Sequence, residues 1–261
     1  MKKILLFVLC LSFLAAANTY PAEIAWMYIQ HRSYGTGQEV NRLSFGLVNE
    51  QLTYLTSDAS VAELKLYEPG GKEMQLGTQT FGSLVEIYGA YDAKNSQWHY
   101  SKSWQFDSWF HVDILEELIP GKYRLVVNTK DGKTTEREYA FSRRINLPIV
   151  DQDSIKIRRD SHANLIWTWD IPESMGYLAL ETATRARAAI DIYRNDENVA
   201  YFSIILPSHM GYVLLPEDVV RLINQKGDRF ELSVSLETRD KNNRTYSKPY
   251  IFKEELKIVS R

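Results

Sequence analysis

The chain has 261 residues, a formal net charge of −2, 44% hydrophobic and 25% charged residues, and 12% aromatics weighted towards Tyr and Trp. Such values exclude wholesale disorder, and the aromatic weighting favours β-structure over helix bundles. The balanced charge, with no basic block, excludes nucleic acid as an expected partner, while the length suits two domains of about 100–120 residues.

The opening stretch MKKILLFVLCLSFLAAA reads as a secretory signal peptide over residues 1–17, with a Lys2-Lys3 head, an apolar run and a small-residue end at Ala15-Ala16-Ala17. The apolar run is short for a bilayer span and no later stretch is long enough, so the mature chain is expected to have no transmembrane span. Cys10 is the sole cysteine and lies inside this leader, too early for lipidation at a cleavage point. The mature chain is thus expected to lack disulfides, Cys-metal sites and Cys nucleophiles, and to carry 29 basic and 33 acidic residues once Lys2 and Lys3 are removed.

Beyond the leader, period-two runs predict strands. Glu23–Tyr34 is the first. Arg42–Asn49 places Leu43, Phe45 and Leu47 on one face, and Val61–Tyr67 does so with Leu64 and Leu66 before a Pro69-Gly70-Gly71 turn. Leu84–Tyr91 follows. The hairpin Leu118–Phe141 has Tyr123, Leu125 and Val127 on one face and turns at Asp131-Gly132, residues that tolerate the positive φ of a tight turn. The segment 142–153 has no period, and a domain boundary is placed near Asn146. Its shortness predicts two domains held in a restricted relative orientation.

The second half repeats this outline. Leu165, Trp167 and Trp169 match Leu43, Phe45 and Leu47; Ile190 and Ile192 match Leu64 and Leu66. Pro216–Ile223 predicts a short helical turn whose counterpart is Asp113–Ile119. In the final hairpin Phe230, Leu232, Val234 and Leu236 alternate with Glu231, Ser233, Ser235 and Glu237, and a turn at Lys241-Asn242-Asn243 follows.

These residues carry a resemblance. Asn164–Pro172, with Trp167, resembles the B strand of a fibronectin type III domain, and Phe230–Tyr250 resembles its F and G strands. Leu118–Tyr123 is similar to the tyrosine corner of immunoglobulin-like sandwiches, whose Tyr hydroxyl bonds back to nearby backbone; the second copy has Phe230 there. The resemblance implies an all-β chain of two consecutive sandwiches, an immunoglobulin-like one over residues 23–145 with an aromatic insert and a fibronectin type III-like one over residues 146–261. It implies no activity, since such folds host many roles.

The first half is 19 residues longer between Tyr67 and Tyr123 than the second is between Tyr193 and Phe230, and the excess is placed at Asn95–Asp113. That stretch is dense in aromatics. Trp98, Tyr100, Trp104 and Trp109 are the candidate ligand-binding residues, as a platform for a sugar ring or a partner protein; the alternative is that they cover an end of the sandwich.

No chemistry is specified elsewhere. The five histidines, His31, His99, His111, His162 and His209, follow no ligand spacing and read as surface residues, no G-x-S-x-G elbow is present, and Glu116-Glu117 and Glu254-Glu255 read as solvated. Thr184–Ala189 (TRARAA) reads as a solvated strand start. No catalytic residue, metal site or cofactor is expected. The expectation is a non-catalytic, periplasmic or extracellular binding or envelope-assembly protein whose partner is another envelope or extracellular protein or a polysaccharide. The alternatives are a carbohydrate-binding protein or glycoside hydrolase using the insert, and a periplasmic chaperone, which pairs two such domains.

Overall fold

The structure is a computed structural model. It describes residues 23–49, 52–55, 61–101, 103–162, 164–174, 184–247 and 250–252. The expected signal peptide at 1–17 and the pair Glu254-Glu255 lie outside these residues.

The described chain is all-β apart from a 3-10 turn at Gln152–Ser154 and one helix. The first half forms β1 (Glu23–Tyr34), β2 (Glu39–Val48), β3 (Val61–Tyr67), β4 (Leu76–Asp92), β5 (Gln97–Tyr100), β6 (Gln105–Ile114), β7 (Gly121–Thr129) and β8 (Thr134–Phe141). The second forms β9 (Lys156–Arg159), β10 (Leu165–Thr168), β11 (Thr184–Arg194), β12 (Glu197–Pro207), β13 (Tyr212–Leu215), α1 (Glu217–Asn224), β14 (Arg229–Thr238), β15 (Asn243–Tyr246) and β16 (Tyr250–Phe252).

Each half places two sheets around a core. In the first, β1-β2-β6-β4 lies over β3-β7-β8, and in the second, β12-β11-β14-β15 lies over β13-β10-β9. Alternation explains both cores. Ile29, Leu43, Phe45, Leu66, Phe110, Tyr123, Leu125 and Val127 fill the first, and Leu165, Trp167, Ile190, Ile192, Phe202, Phe230, Leu232 and Val234 fill the second. Tyr123 closes its corner as the pattern predicts: its hydroxyl donates to the Ile119 carbonyl and accepts from the Ile119 amide, both at 2.9 Å.

The halves do not sit side by side with a simple interface. Their four-stranded sheets join at both edges, β1 with β15 and β4 with β12, and both junctions are parallel pairs. With β11 on β14 closing the ring, eight strands form one barrel, four from each half. Such closure removes the open edges of both large sheets. The barrel's outer face is the inner face of the two sandwich cores, so its lumen is a third interior.

The connection between the halves is stitched to the barrel. Asn243 accepts from the Ile145 amide at 2.7 Å and donates to the Arg143 carbonyl at 2.9 Å, while Thr245 donates to the Pro148 carbonyl at 2.9 Å. These bonds tie the segment between the halves to β15.

The extra length of the first half differs from expectation. β6 is an ordinary barrel strand, so Gln105–Asp113 is not inserted material. The added residues lengthen β4 to 17 residues and append β5, which pairs with the far end of β4 at Gly89–Asp92. A period-two aromatic run looks the same whether it extends a hairpin or continues a sheet, which is why the boundary was misplaced.

Candidate functional site

Strand alternation sends every second barrel residue inward. β1 contributes Trp26, Tyr28, Arg32 and Tyr34; β4 Glu86 and Tyr88; β6 Asp107, Trp109 and His111. From the second half come Arg187 and Asp191 on β11, Tyr201 on β12, Glu231 and Ser233 on β14, and Arg244 and Tyr246 on β15. With Tyr54, Lys241 and others they enclose a cavity of about 730 Å³, within the range of small-molecule sites.

Strand register sorts the charges into two rows. Arg32, Arg244, Glu237 and Arg185 are successive partners across β1, β15, β14 and β11. Glu231, Asp191, Tyr201 and Glu86 are successive partners across β14, β11, β12 and β4. On β14 the rows are six positions apart, roughly 20 Å along the strand. Arg187 lies on β11 between them.

At the basic row Glu237, 1% exposed, accepts from Arg185 Nε at 2.6 Å and Arg187 Nη2 at 3.2 Å, with Arg244 Nε at 3.7 Å. Burial works to raise its pKa, but the Arg187, Arg244 and Arg185 guanidiniums outweigh it and hold it at about 2. Arg32 donates instead to neutral partners, Gln30 Oε1 at 3.0 Å and Ser44 Oγ at 3.3 Å. Arg187 Nε and Arg185 Nη2 are buried with no hydrogen-bond partner among the described residues. Ser44 Oγ lies 2.9 Å from His111 Nδ1, and burial followed by repulsion from Arg32, Arg42 and Arg244 drives that imidazole down to about 2, so it is neutral. Arg244 lies 4.4 Å and Arg32 5.7 Å from the centre of the Tyr246 ring, in cation–π contact.

The acidic row behaves oppositely. Burial, then the neighbouring Asp107 carboxylate, pushes Glu86 up to about 8, with Arg187 opposing. Burial lifts Asp191 to about 6 against a bond from Asn198, with Glu231 adding to the rise. Asp107 is also raised by burial, against the bond it accepts from the Ser108 amide. At neutral pH Glu86 is therefore a protonated carboxyl, able to donate as well as accept.

Aromatic rings line the wall between. Trp26 stacks on Tyr28 at 5.0 Å and donates to the Tyr54 hydroxyl at 3.2 Å. Its indole packs against Gly46, where a Cβ would come within 2.5 Å of Nε1, and the Trp109 indole packs against Gly82, 2.6 Å from such a Cβ. Two glycines in central strands are thus the floors on which two indoles rest.

The four residues expected as one platform divide. Trp98 is half-buried between Tyr91 and Tyr212, at ring distances of 4.7 and 5.8 Å. Tyr100 donates to the Leu214 carbonyl and stacks on Phe202, and Trp104 packs on the second core beneath Lys226. These three clamp the extended β4–β5 hairpin onto the second half. Trp109 alone of the four lines the lumen.

The charged lumen residues were missed. Arg185 and Arg187 belong to the TRARAA stretch expected to be solvated, and Glu231 and Glu237 to the polar alternates of the final hairpin, to which no role is assigned from the sequence. Two histidines also depart from the surface assignment: His31 is 4% exposed and His111 faces the lumen, whereas His99, His162 and His209 are exposed. The signal available was the strict alternation itself, with charge on the second face of three strands. Among the described residues no group of three or more His, Cys, Asp and Glu is arranged to hold a metal ion, and no helix is long and apolar enough to cross a membrane.

No family model matches the sequence, and no curated protein matches it. Among solved structures, the FN1–FN3 domains of chicken CNTN1 are 10% identical with a TM-score of 0.27, covering 86% of this chain and 62% of that one. The adhesin InvE of Yersinia pseudotuberculosis is 10% identical at a TM-score of 0.18, covering 85% and 58%. The serine-rich repeat protein Srr2 of Streptococcus agalactiae is 7% identical at 0.18, covering 94% and 96%. This chain spans under two thirds of the first two. Superpositions this loose fix no architecture; the strand pairing does.

Proposed function

We propose that this is an exported, non-catalytic binding protein built of two immunoglobulin-like units, and that it holds a small polar ligand inside the barrel they share. The strand order supports the first part. The first half follows the ABED-over-CFG arrangement, with its ABED sheet in the barrel, while the second turns a C′CFG sheet inward, in keeping with the fibronectin type III resemblance. Export rests on the reading of residues 1–17 as a signal peptide. The observation that carries the binding role is the lumen: about 730 Å³, lined by charged and aromatic side chains from both halves, where a merely structural interior would be apolar. The chaperone alternative is disfavoured because the closed barrel leaves the large sheets no free edge for a client strand.

A thermal-shift screen of the purified chain against sugars, sugar acids, amino acids, short peptides and amines tests this. At least one class should raise the melting temperature, and Ser233→Trp, which fills the lumen, should abolish that rise while the protein stays folded. No stabilising compound, or equal stabilisation of the filled variant, would remove the lumen as the site.

One observation favours a second reading, glycoside hydrolysis. Glu86 is protonated at neutral pH and shares the lumen with Asp107 and Asp191, so a proton donor and candidate carboxylate partners face one cavity. Release of nitrophenol from aryl glycosides that is lost in Glu86→Gln would establish it; no turnover across hexoside and hexuronide substrates would exclude it.

A further inference from the structure

We propose that the lumen's ligand is an anionic sugar: a polyhydroxylated ring bearing a carboxylate or phosphate that docks among Arg32, Arg187 and Arg244. This rests on the lumen being a binding site, as proposed above, and names what it takes.

The first ground is charge. Arg32, Arg187, Arg244 and Lys241 line one cavity, and the carboxylate bonded among these guanidiniums is Glu237, which Arg185 also engages from the side. One carboxylate cannot neutralise this group, and unpaired charge in a buried site is unfavourable enough that an incoming anion gains from completing it. Burial and then repulsion from Arg185 lower the Lys241 pKa, whereas at Arg187 and Arg244 burial is outweighed by Glu237 and the neighbouring tyrosines, which raise both pKa values and keep both groups cationic. Guanidinium forks suit the oxygens of carboxylate and phosphate, and Arg187 Nε is a donor with no partner among the described residues.

The second ground is the wall. The indoles of Trp26 and Trp109 pack against Gly46 and Gly82 and line the cavity; with Trp26 stacked on Tyr28, the Trp109 ring is the apolar surface on which the C–H face of a sugar ring can stack. The third is the opposite row. Glu86, protonated at neutral pH, and Tyr201 can donate, while Asp191 and Glu231 accept, a mixture that suits hydroxyl groups. Anion, ring face and hydroxyls are thus matched in order along one cavity.

The test uses saturation-transfer NMR and calorimetry on the full chain with D-glucuronate, glucose 6-phosphate, glucose and glucosamine. One or both of the anionic probes should bind at least tenfold more tightly than glucose and glucosamine, and whichever binds more tightly identifies the carboxylate or the phosphate as the anchor. Arg32→Gln should abolish most of that tenfold excess; its partners are the neutral Gln30 and Ser44, so the substitution orphans no carboxylate. Arg32→Lys should retain part of it, and raising the salt concentration should weaken the anionic probes selectively. Equal binding of glucose and glucuronate, or an excess unchanged in Arg32→Gln, would overturn the anionic anchor while leaving the lumen as a site. Binding by none of the four, while the screen above finds a ligand of another class that Ser233→Trp excludes, would overturn the sugar assignment alone. A screen finding nothing would overturn both.

Discussion

The outer and inner faces of the barrel are made by the same strands and follow opposite rules. On β14, Phe230, Leu232, Val234 and Leu236 point outward into the second core, all at most 1% exposed, while Glu231, Ser233, Ser235 and Glu237 point into the lumen. β11 does the same with Ala186, Ala188, Ile190 and Ile192 outside and Arg185, Arg187 and Asp191 inside. The outer face is what holds the fold together, since apolar burial contributes roughly 25 cal/mol per Å². The inner face buries guanidiniums and carboxyls, and a buried ion pair is weak evidence for stability. The two faces therefore separate an apolar, stabilising surface from a polar, charged one within single strands.

The largest expected effect lies on the outer face. Phe230→Ala should destabilise the protein by about 3–5 kcal/mol in urea unfolding, leaving an intact lumen in the fraction that remains folded. A loss below about 1 kcal/mol would place that ring outside the core and blur the distinction.

A smaller effect with the opposite sign is expected on the inner face. Glu86 is raised from 4.5 to about 8, so between those pH values the folded state holds a proton that the unfolded state has released. Stability then falls as pH rises through that window, by up to about 1.4 kcal/mol per unit, and levels off above pH 8. Asp191, raised to about 6, acts in the same direction at the lower end of the window. Glu86→Gln should flatten most of this slope, so that its stability relative to the parent is greater at pH 8 than at pH 4.5 by up to about 4 kcal/mol, again in urea. A slope unchanged in the variant would show that Glu86 is ionised or solvated and that the inner face follows the same rules as an exposed surface.

Much of the outer face was legible in the sequence. Period-two runs located both cores, the Tyr123 corner and the matched B, C and F strands, because burial against a sheet imposes that period locally. The lumen was not legible, and the reason is physical. A strand facing water and a strand facing a polar lumen have the same alternation, so the TRARAA stretch reads as solvated and the alternates Glu231 to Glu237 point to no interior. Only the pairing of β1 with β15 and β4 with β12, between residues more than 100 positions apart, turns that polar face into an interior. The aromatic stretch illustrates the same limit. Trp98, Tyr100 and Trp104 grip the second half and Trp109 enters the lumen, a division set by where β4 and β6 join the ring.

That junction is also where the account is most directly tested. β4 and β12 come from different halves, and Ala90 and Ile205 are register partners at their shared edge. The sole cysteine is Cys10, so Ala90→Cys with Ile205→Cys in the chain lacking residues 1–17 carries only the introduced thiols. Under mild oxidation this pair should form an intramolecular disulfide nearly quantitatively, seen as protection from thiol-labelling reagents in intact-mass measurement, because register partners lie within the Cα separation a disulfide spans. Two thiols that remain freely reactive under oxidising conditions, in a protein that is otherwise folded, would mean that the halves do not close a common barrel, and the lumen with everything assigned to it would fall.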